Sequence, residues 1–214
     1  MASTLSLYRR APWPVRWHVA VRWRLFPFER LLPYVPEQGV FLDVGCGFGI
    51  WAFTMALYRP RAYILGCDPD ERKIQAVQAL VPPRDRGRVQ FQIASAESIR
   101  YPAARLISFI DVLYLLPEVV QEEILVHAVQ ALERGGRLLV KEMDTQPAWK
   151  VRWNWLQETL VVGLLRWTYG QPVFHFRCRS VWEDLLKKMG LKVTSLRMDQ
   201  GYPYPHLLIV GEKL

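Results

Sequence analysis

The sequence lacks the features that would place it in several large classes. Its three cysteines, Cys46, Cys67 and Cys178, form no CxxC pair, and an odd number cannot complete a disulfide framework. A structural zinc site and a secreted disulfide scaffold therefore have no support, so no metal is expected and a reducing cytoplasmic setting is. Uncharged apolar stretches such as Thr159 to Leu165 fall well short of the roughly 20 residues needed to span a bilayer. Arg16, Arg22 and Arg24 interrupt any apolar core that a secretion leader would need. No glycine-lysine pair exists to build a phosphate-binding P-loop. Nor does a proline precede any cysteine, as cytosine-modifying chemistry would require.

What is present is a folded chain of 214 residues, 51% of them apolar, with no repeat and no low-complexity segment. Its net charge of +8 is unevenly placed. Residues 1–36 carry six arginines and one glutamate, interleaved with Trp13, Trp17 and Trp23. Such a stretch points to nucleic acid or an anionic membrane surface as partner. Apolar residues alternate with polar ones from Val15 to Leu25, which is a strand period, and on a helical wheel the arginines scatter. A helix is nevertheless the expectation here.

From Val40 onward strands and helices alternate. VFLDV (40–44), AYILGCD (62–68), RVQFQIA (88–94), LISFI (106–110) and GGRLLVKEMD (135–144) read as five buried strands, the last entered by a Gly-Gly turn. Helices are expected at 50–57, 70–80, 117–133 and 180–189, the last capped by Ser180 and stopped by Gly190. LKVTSLRM (191–198) and HLLIVGEKL (206–214) have no helix between them and should pair antiparallel. The whole predicts an α/β, Rossmann-like, doubly wound sheet of seven strands with its last strand antiparallel. A ligand would then lie beyond the carboxyl ends of the first strands.

The chemistry concentrates at those ends. Asp43-Val44-Gly45-Cys46-Gly47-Phe48-Gly49 closes the first strand with G-x-G-x-G, and Ile50 stands where a dinucleotide fingerprint needs glycine. Asp68-Pro69 ends the second strand, 19 residues beyond Gly49, where a carboxylate can accept hydrogen bonds from both hydroxyls of a ribose. Ser95-Ala96-Glu97 ends the third strand and Asp111-Val112-Leu113-Tyr114 the fourth. In this order, over about residues 39 to 144, the series resembles the class I S-adenosylmethionine-dependent methyltransferases. The resemblance implies S-adenosylmethionine as cofactor, with Asp43, Gly45, Cys46, Gly47 and Gly49 around its methionine portion. It implies Asp68 on the ribose, Pro69, Ala96 and Glu97 around the adenine, and Asp111 and Leu113 lining the methionine side. Many members have an acidic residue at the place of Ser95, and Glu97 would substitute for it. A cap at 1–36 and a methyltransferase domain at 37–214 follow, the latter with a lid insertion at about 145–179.

Candidate bases stand beyond the fourth and fifth strands: Tyr114, Glu142 and Asp144, with His175 and His206 able to fold over the same opening. The adenine- and glutamine-modifying tetrapeptide [DNS]-P-P-[YF] is missing at Asp111–Tyr114, which disfavours nucleobase chemistry. Trp149 to Trp167 reads as one lid helix with an apolar face of Trp149, Trp153, Leu156, Leu160, Leu164 and Trp167. The DTQPAWK…W stretch, FHFR and GYPYPH also resemble small bacterial methyltransferases of lipid-like or aryl polyene pathways. The expected enzyme methylates oxygen or ring carbon of a small hydrophobic acceptor, as a cytoplasmic protein resting on the inner membrane face. An RNA-modifying or RNA-binding protein is the alternative, and a catalytically silent partner subunit a third.

Overall fold

The structure is a computed structural model that describes residues 4–26, 28–144, 174–202 and 204–214. Its centre is a seven-stranded sheet of order β3-β2-β1-β4-β5-β7-β6. The strands are β1 (Gln38–Val44), β2 (Arg61–Asp68), β3 (Val89–Ile93), β4 (Ala104–Ile110), β5 (Leu132–Met143), β6 (Leu191–Arg197) and β7 (His206–Lys213). β1 to β5 pair in parallel, whereas β7 runs antiparallel to both β5 and β6. This is the expected doubly wound arrangement. Strand order reverses between β1 and β4, so the crevice for a ligand opens beyond their carboxyl ends.

Around the sheet lie α1 (Thr4–Leu7), α2 (Trp13–Leu25), α3 (Ile50–Tyr58), α4 (Glu71–Leu80), α5 (Glu118–Ala131) and α6 (Arg179–Lys188). In α3 every residue from Ile50 to Ala56 is buried. A helix apolar on all faces needs cover on the side away from the sheet, and the N-terminal segment supplies it. Tyr8 meets Phe53 edge-on at 5.8 Å, Thr4 and Thr54 hydroxyls lie 3.2 Å apart, and Phe26, Phe28 and Leu31 join the same core. Arg59, just past α3, donates to the carbonyls of Leu32, Val35 and Pro36 and fastens the segment down. The stretch expected as a cap is thus also a layer of the fold.

Three local expectations are corrected. The Gly135-Gly136 pair is an irregularity inside β5, not the turn before it, because β5 already pairs with β4 at Leu132 and its register shifts beyond that point. The helix before β5 ends at Ala131, two residues before the expected Glu133. Ser180 is not the cap of α6, since Cys178 takes the extended cap conformation and no side chain caps the helix. The helical reading of the Trp/Arg stretch holds: Pro12 stands at the cap and Pro14 in the first turn of α2, where a missing N–H costs nothing. The lid helix expected at Trp149 to Trp167 lies outside the described residues. No helix among the described residues is long and apolar enough to cross a membrane.

Candidate active site

The loop after β1 is shaped by left-handed glycines, with φ of 72° at Gly45, 55° at Gly47 and 72° at Gly49. At Gly45 a Cβ would collide with Val112 Cγ2, so the loop can approach the end of β4 only without a side chain. At Gly47 a Cβ would meet only Asp68 Oδ2, at 4.0 Å, and would project into the space the loop encloses. The Gly47 N–H donates to Asp68 Oδ2 at 2.9 Å and the Asp70 N–H to Oδ1 at 2.9 Å. Each oxygen keeps a lone pair for a further donor. Phe48 is held from above, its carbonyl accepting from the Tyr8 hydroxyl at 2.6 Å and its ring 5.1 Å from His18.

Asp43 stands on β1 in register with Gly66 and Ser108. It is 1% exposed, its Oδ1 accepts from the Ser108 hydroxyl at 3.2 Å, and its Oδ2 has no partner. Burial pushes its carboxyl up to about 7, against the opposing hydrogen bond from Ser108. A buried carboxylate oxygen without a donor is rare.

Pro69 and Glu97 are exposed, while Ala96 is buried with its carbonyl held by the Tyr101 hydroxyl at 2.8 Å. Ala96, Asp68, Asp43 with the glycine loop, and Asp111 therefore follow one another along the carboxyl edge of β3, β2, β1 and β4. Cys46 is half-buried in the loop, and burial raises its thiol pKa.

A second group of charges lies at the ends of β4 and β5. Asp111 has φ 57°, the one left-handed non-glycine position among the described residues. Its carboxylate pairs with Lys141 on β5 and, at 2.8 Å, with Arg22 on α2. Burial alone would raise its pKa, but the Lys141 and Arg22 charges outweigh burial and hold the carboxyl below its usual range. The Lys141 side chain is wholly buried, with Nζ 4.7 Å from the centre of the Phe26 ring. Its neighbour Glu142 points the opposite way, as strand alternation requires. There its Oε1 accepts from the N–H groups of Val112, at 3.2 Å, and Leu113, at 2.8 Å, leaving Oε2 buried without a partner. Burial, and next the Asp111 charge, raise Glu142 to about 8.

His206 opens β7 with its Nε2 3.0 Å from the Leu25 carbonyl. A carbonyl only accepts, so Nε2 carries the proton and Nδ1, buried and without a hydrogen-bond partner, presents a bare lone pair. Burial, and then the Lys141 charge, lower its pKa to about 3. Tyr114 is buried, its ring stacked on Phe176 at 5.1 Å with Phe174 at 5.6 Å. His175 lies between those phenylalanines and is tied by its N–H to the Tyr114 carbonyl at 2.8 Å. The Asp144 N–H donates to the Pro205 carbonyl, at 2.8 Å, next to His206. The five candidate bases therefore gather at one end of the sheet. Lys141, Arg22 and Ser108 escaped the sequence reading. A lysine inside LLVKE and a lone hydroxyl inside LISFI were the available signals, since neither is buried without a partner. No cluster that could hold a metal occurs among the described residues.

Comparison with known proteins gives three kinds of match. A family model described as a methyltransferase domain matches residues 18–196. The secondary metabolism regulator laeA of Monascus pilosus is 42% identical over 50 residues, 23% of this chain and 12% of that protein, so the match spans a small part of that relative. Among solved structures, an S-adenosylmethionine-dependent methyltransferase from Methanosarcina mazei superposes with a TM-score of 0.65 at 16% identity, covering 89% of this chain and 98% of the other. An O-methyltransferase family 2 protein from Planctomyces limnophilus, in complex with apigenin, gives 0.69 at 18% identity over 94% of this chain and 62% of the other. At these identities the two structures share the fold.

Two stability contrasts test this geometry by urea denaturation. Gly47→Ala should cost only the left-handed backbone strain, about 1–2 kcal/mol. Gly45→Ala should cost about 1–3 kcal/mol more, because Val112 must also give way. Asp111→Ala strands a buried lysine and should cost about 3–5 kcal/mol. Arg22→Met, which breaks a partly exposed pair, should cost about 1 kcal/mol. Equal costs within either pair would refute the packing described.

Proposed function

The chain belongs to the class I S-adenosylmethionine-dependent methyltransferases, and from that premise we propose that it methylates oxygen or ring carbon of a small hydrophobic, lipid-like or aryl acceptor at the inner face of the membrane. The observation that carries the cofactor half is the pairing of an unpartnered, buried Asp43 Oδ2 with the open space before Gly47 and Asp68. Those residues fit S-adenosylmethionine. Asp43 would receive the ammonium of the methionine portion, Gly45, Cys46, Gly47 and Gly49 would let the backbone close on it, and Asp68 would take the ribose hydroxyls. Pro69, Ala96 and Glu97 would border the adenine, and Leu113 the methionine side. The bound cofactor supplies a methyl group already activated on a sulfonium, so the protein's work is alignment and, for a hydroxyl acceptor, removal of one proton.

The acceptor half rests on the far end of β4. Tyr114, Phe174 and Phe176 form an aromatic wall there, suited to an apolar or planar molecule. Glu142 is the assigned base: its Oε2 is free, and a pKa near 8 suits proton abstraction close to neutrality. His206, with its pKa far below neutrality, would accept a hydrogen bond at Nδ1 and orient the acceptor rather than take its proton. Asp111, already neutralised by Lys141 and Arg22, fixes the turn that carries Val112 and Leu113. The arginines and tryptophans of α2 support a place at an anionic membrane.

Calorimetric titration with S-adenosylmethionine and its demethylated product tests the reading. Wild type should bind both, and Asp68→Ala should lose at least about tenfold in affinity, the worth of a charged hydrogen bond. Failure of wild type to bind either would overturn it. Asp43 is protonated below a pKa of about 7, and a cation beside it would drive that proton off. Binding below that pH should therefore release a proton, binding well above it should not, and Asp43→Asn should remove the release. For a hydroxyl acceptor the methyl-transfer rate should climb with pH through about 8 as Glu142 ionises, and Glu142→Gln should abolish that climb. A wild-type profile flat across that range would remove Glu142 from the mechanism.

A further inference from the structure

The helix that reaches into the site also has an outer side. At roughly 100° per residue, Trp13, Arg16, Trp17, Ala20 and Arg24 fall within one arc of about 100° on α2, and Arg22 points away from its middle. The structure follows that wheel. Trp13 is 74% and Trp17 54% exposed, Arg16, Ala20 and Arg24 are exposed, and Arg22 turns inward to Asp111. The arginines that scatter on the wheel thus divide between two faces. Arg9 and Arg10 are also exposed, in the turn before α2. No aspartate or glutamate precedes Glu29 in the sequence, and Glu29 is engaged with the Tyr58 hydroxyl at 2.9 Å. The charged side chains that residues 1–28 themselves contribute are therefore all basic. Val19 is the one buried residue of the helix, and both indoles stay more than half exposed although the sheet offers a core.

We propose that this outer face of α2 is a docking surface for an anionic phospholipid layer. The proposal rests on the membrane placement given above and specifies the face that makes the contact. Indole rings settle at the headgroup level of a bilayer, and arginines beside them meet lipid phosphates. Indole and arginine are interleaved on this face and not segregated to opposite sides. The fit is therefore to contact at the headgroup level and not to burial of an apolar face among the acyl chains. Single-stranded RNA, by contrast, is bound in a basic groove lined with stacking rings. Trp13 and Trp17 stand one turn apart on a convex helix, which favours the lipid surface. Docked in this way, the helix would rest on the membrane with one face while the opposite face holds Asp111.

Flotation with vesicles of phosphatidylcholine alone, or mixed with phosphatidylglycerol, tests the proposal. An RNA gel shift at matched salt runs beside it. Wild type should float with the anionic vesicles, less so at high salt, and not with the neutral ones. Arg16→Glu/Arg24→Glu should lower partitioning at least about tenfold, given the attraction each arginine feels at such a surface. Trp13→Ala/Trp17→Ala should also lower it, and by a loss that high salt does not remove. Arg84→Glu/Lys187→Glu changes net charge equally at two exposed sites elsewhere and should leave partitioning within about twofold. Equal loss in that control pair, equal partitioning into neutral vesicles, or retention by RNA without vesicle binding would overturn the docking surface. Cofactor titration of the same samples separates the two readings. A protein that binds the cofactor but does not float refutes the docking surface and leaves the methyltransferase standing. One that floats but does not bind the cofactor does the reverse.

Discussion

Burying a carboxylate without neutralising it is so costly that Asp111 dictates what surrounds it. It sits where β4 ends, in a left-handed conformation that only a few residue types adopt, and it is met from two directions. Lys141 reaches it from the adjacent strand, so β4 and β5 are tied at their carboxyl ends as well as through their ladder. Arg22 reaches it from a helix 89 residues earlier in the sequence. Besides that ion pair, α2 reaches the site through the His18–Phe48 contact and the Leu25 carbonyl taken by His206. The turn it fixes aims two backbone N–H groups at Glu142, and so one neutralised charge positions another that is left incomplete.

The site then distributes four carboxylates among three environments. Asp111 is ionised and fully paired. Asp68 is hydrogen-bonded by backbone at each oxygen and sits at the edge of the cradle. Asp43 and Glu142 share a different condition, each buried with one bonded and one bare oxygen. Burial raises both, to about 7 and about 8, so both sit near the point of changing charge at neutral pH. By linkage such groups weaken the fold as pH rises from their unfolded values near 4 through those folded values, because the folded chain keeps protons that the unfolded one releases. Stability given up in that way is characteristic of positions kept for a ligand or a reaction.

Some of this was legible in the sequence because the physics is local. The G-x-G-x-G loop needs left-handed glycines whatever the rest of the chain does, and Asp68 follows at the end of the next strand by the repeat of the fold. The strands of the sheet could be read from apolar runs bounded by turns. The pairing of Arg22 with Asp111 could not be read, because no spacing rule links partners so far apart in the chain. Lys141 was visible as an oddity inside an apolar strand but not with its partner. The alternating pattern from Val15 to Leu25 pointed to a strand because its apolar residues do not gather on one side of α2. The helix buries a single residue and spends its opposite face on arginine and tryptophan, so core burial never shaped its period. Expectations for the lid, including its apolar face of tryptophan and leucine, concern residues outside those described.

In the function proposed above, Asp43, Asp68 and the loop between β1 and α3 hold the cofactor and the methyl group passes to a hydrophobic acceptor. The most direct measurement follows an isotopically labelled methyl group from S-adenosylmethionine when the purified protein is incubated with a bacterial membrane extract and, in parallel, with total RNA. Label should pass into the organic-soluble fraction with wild type, and not with Gly47→Arg, whose side chain would fill the cradle. Label in the RNA fraction instead, or in no fraction of either incubation, would contradict the account.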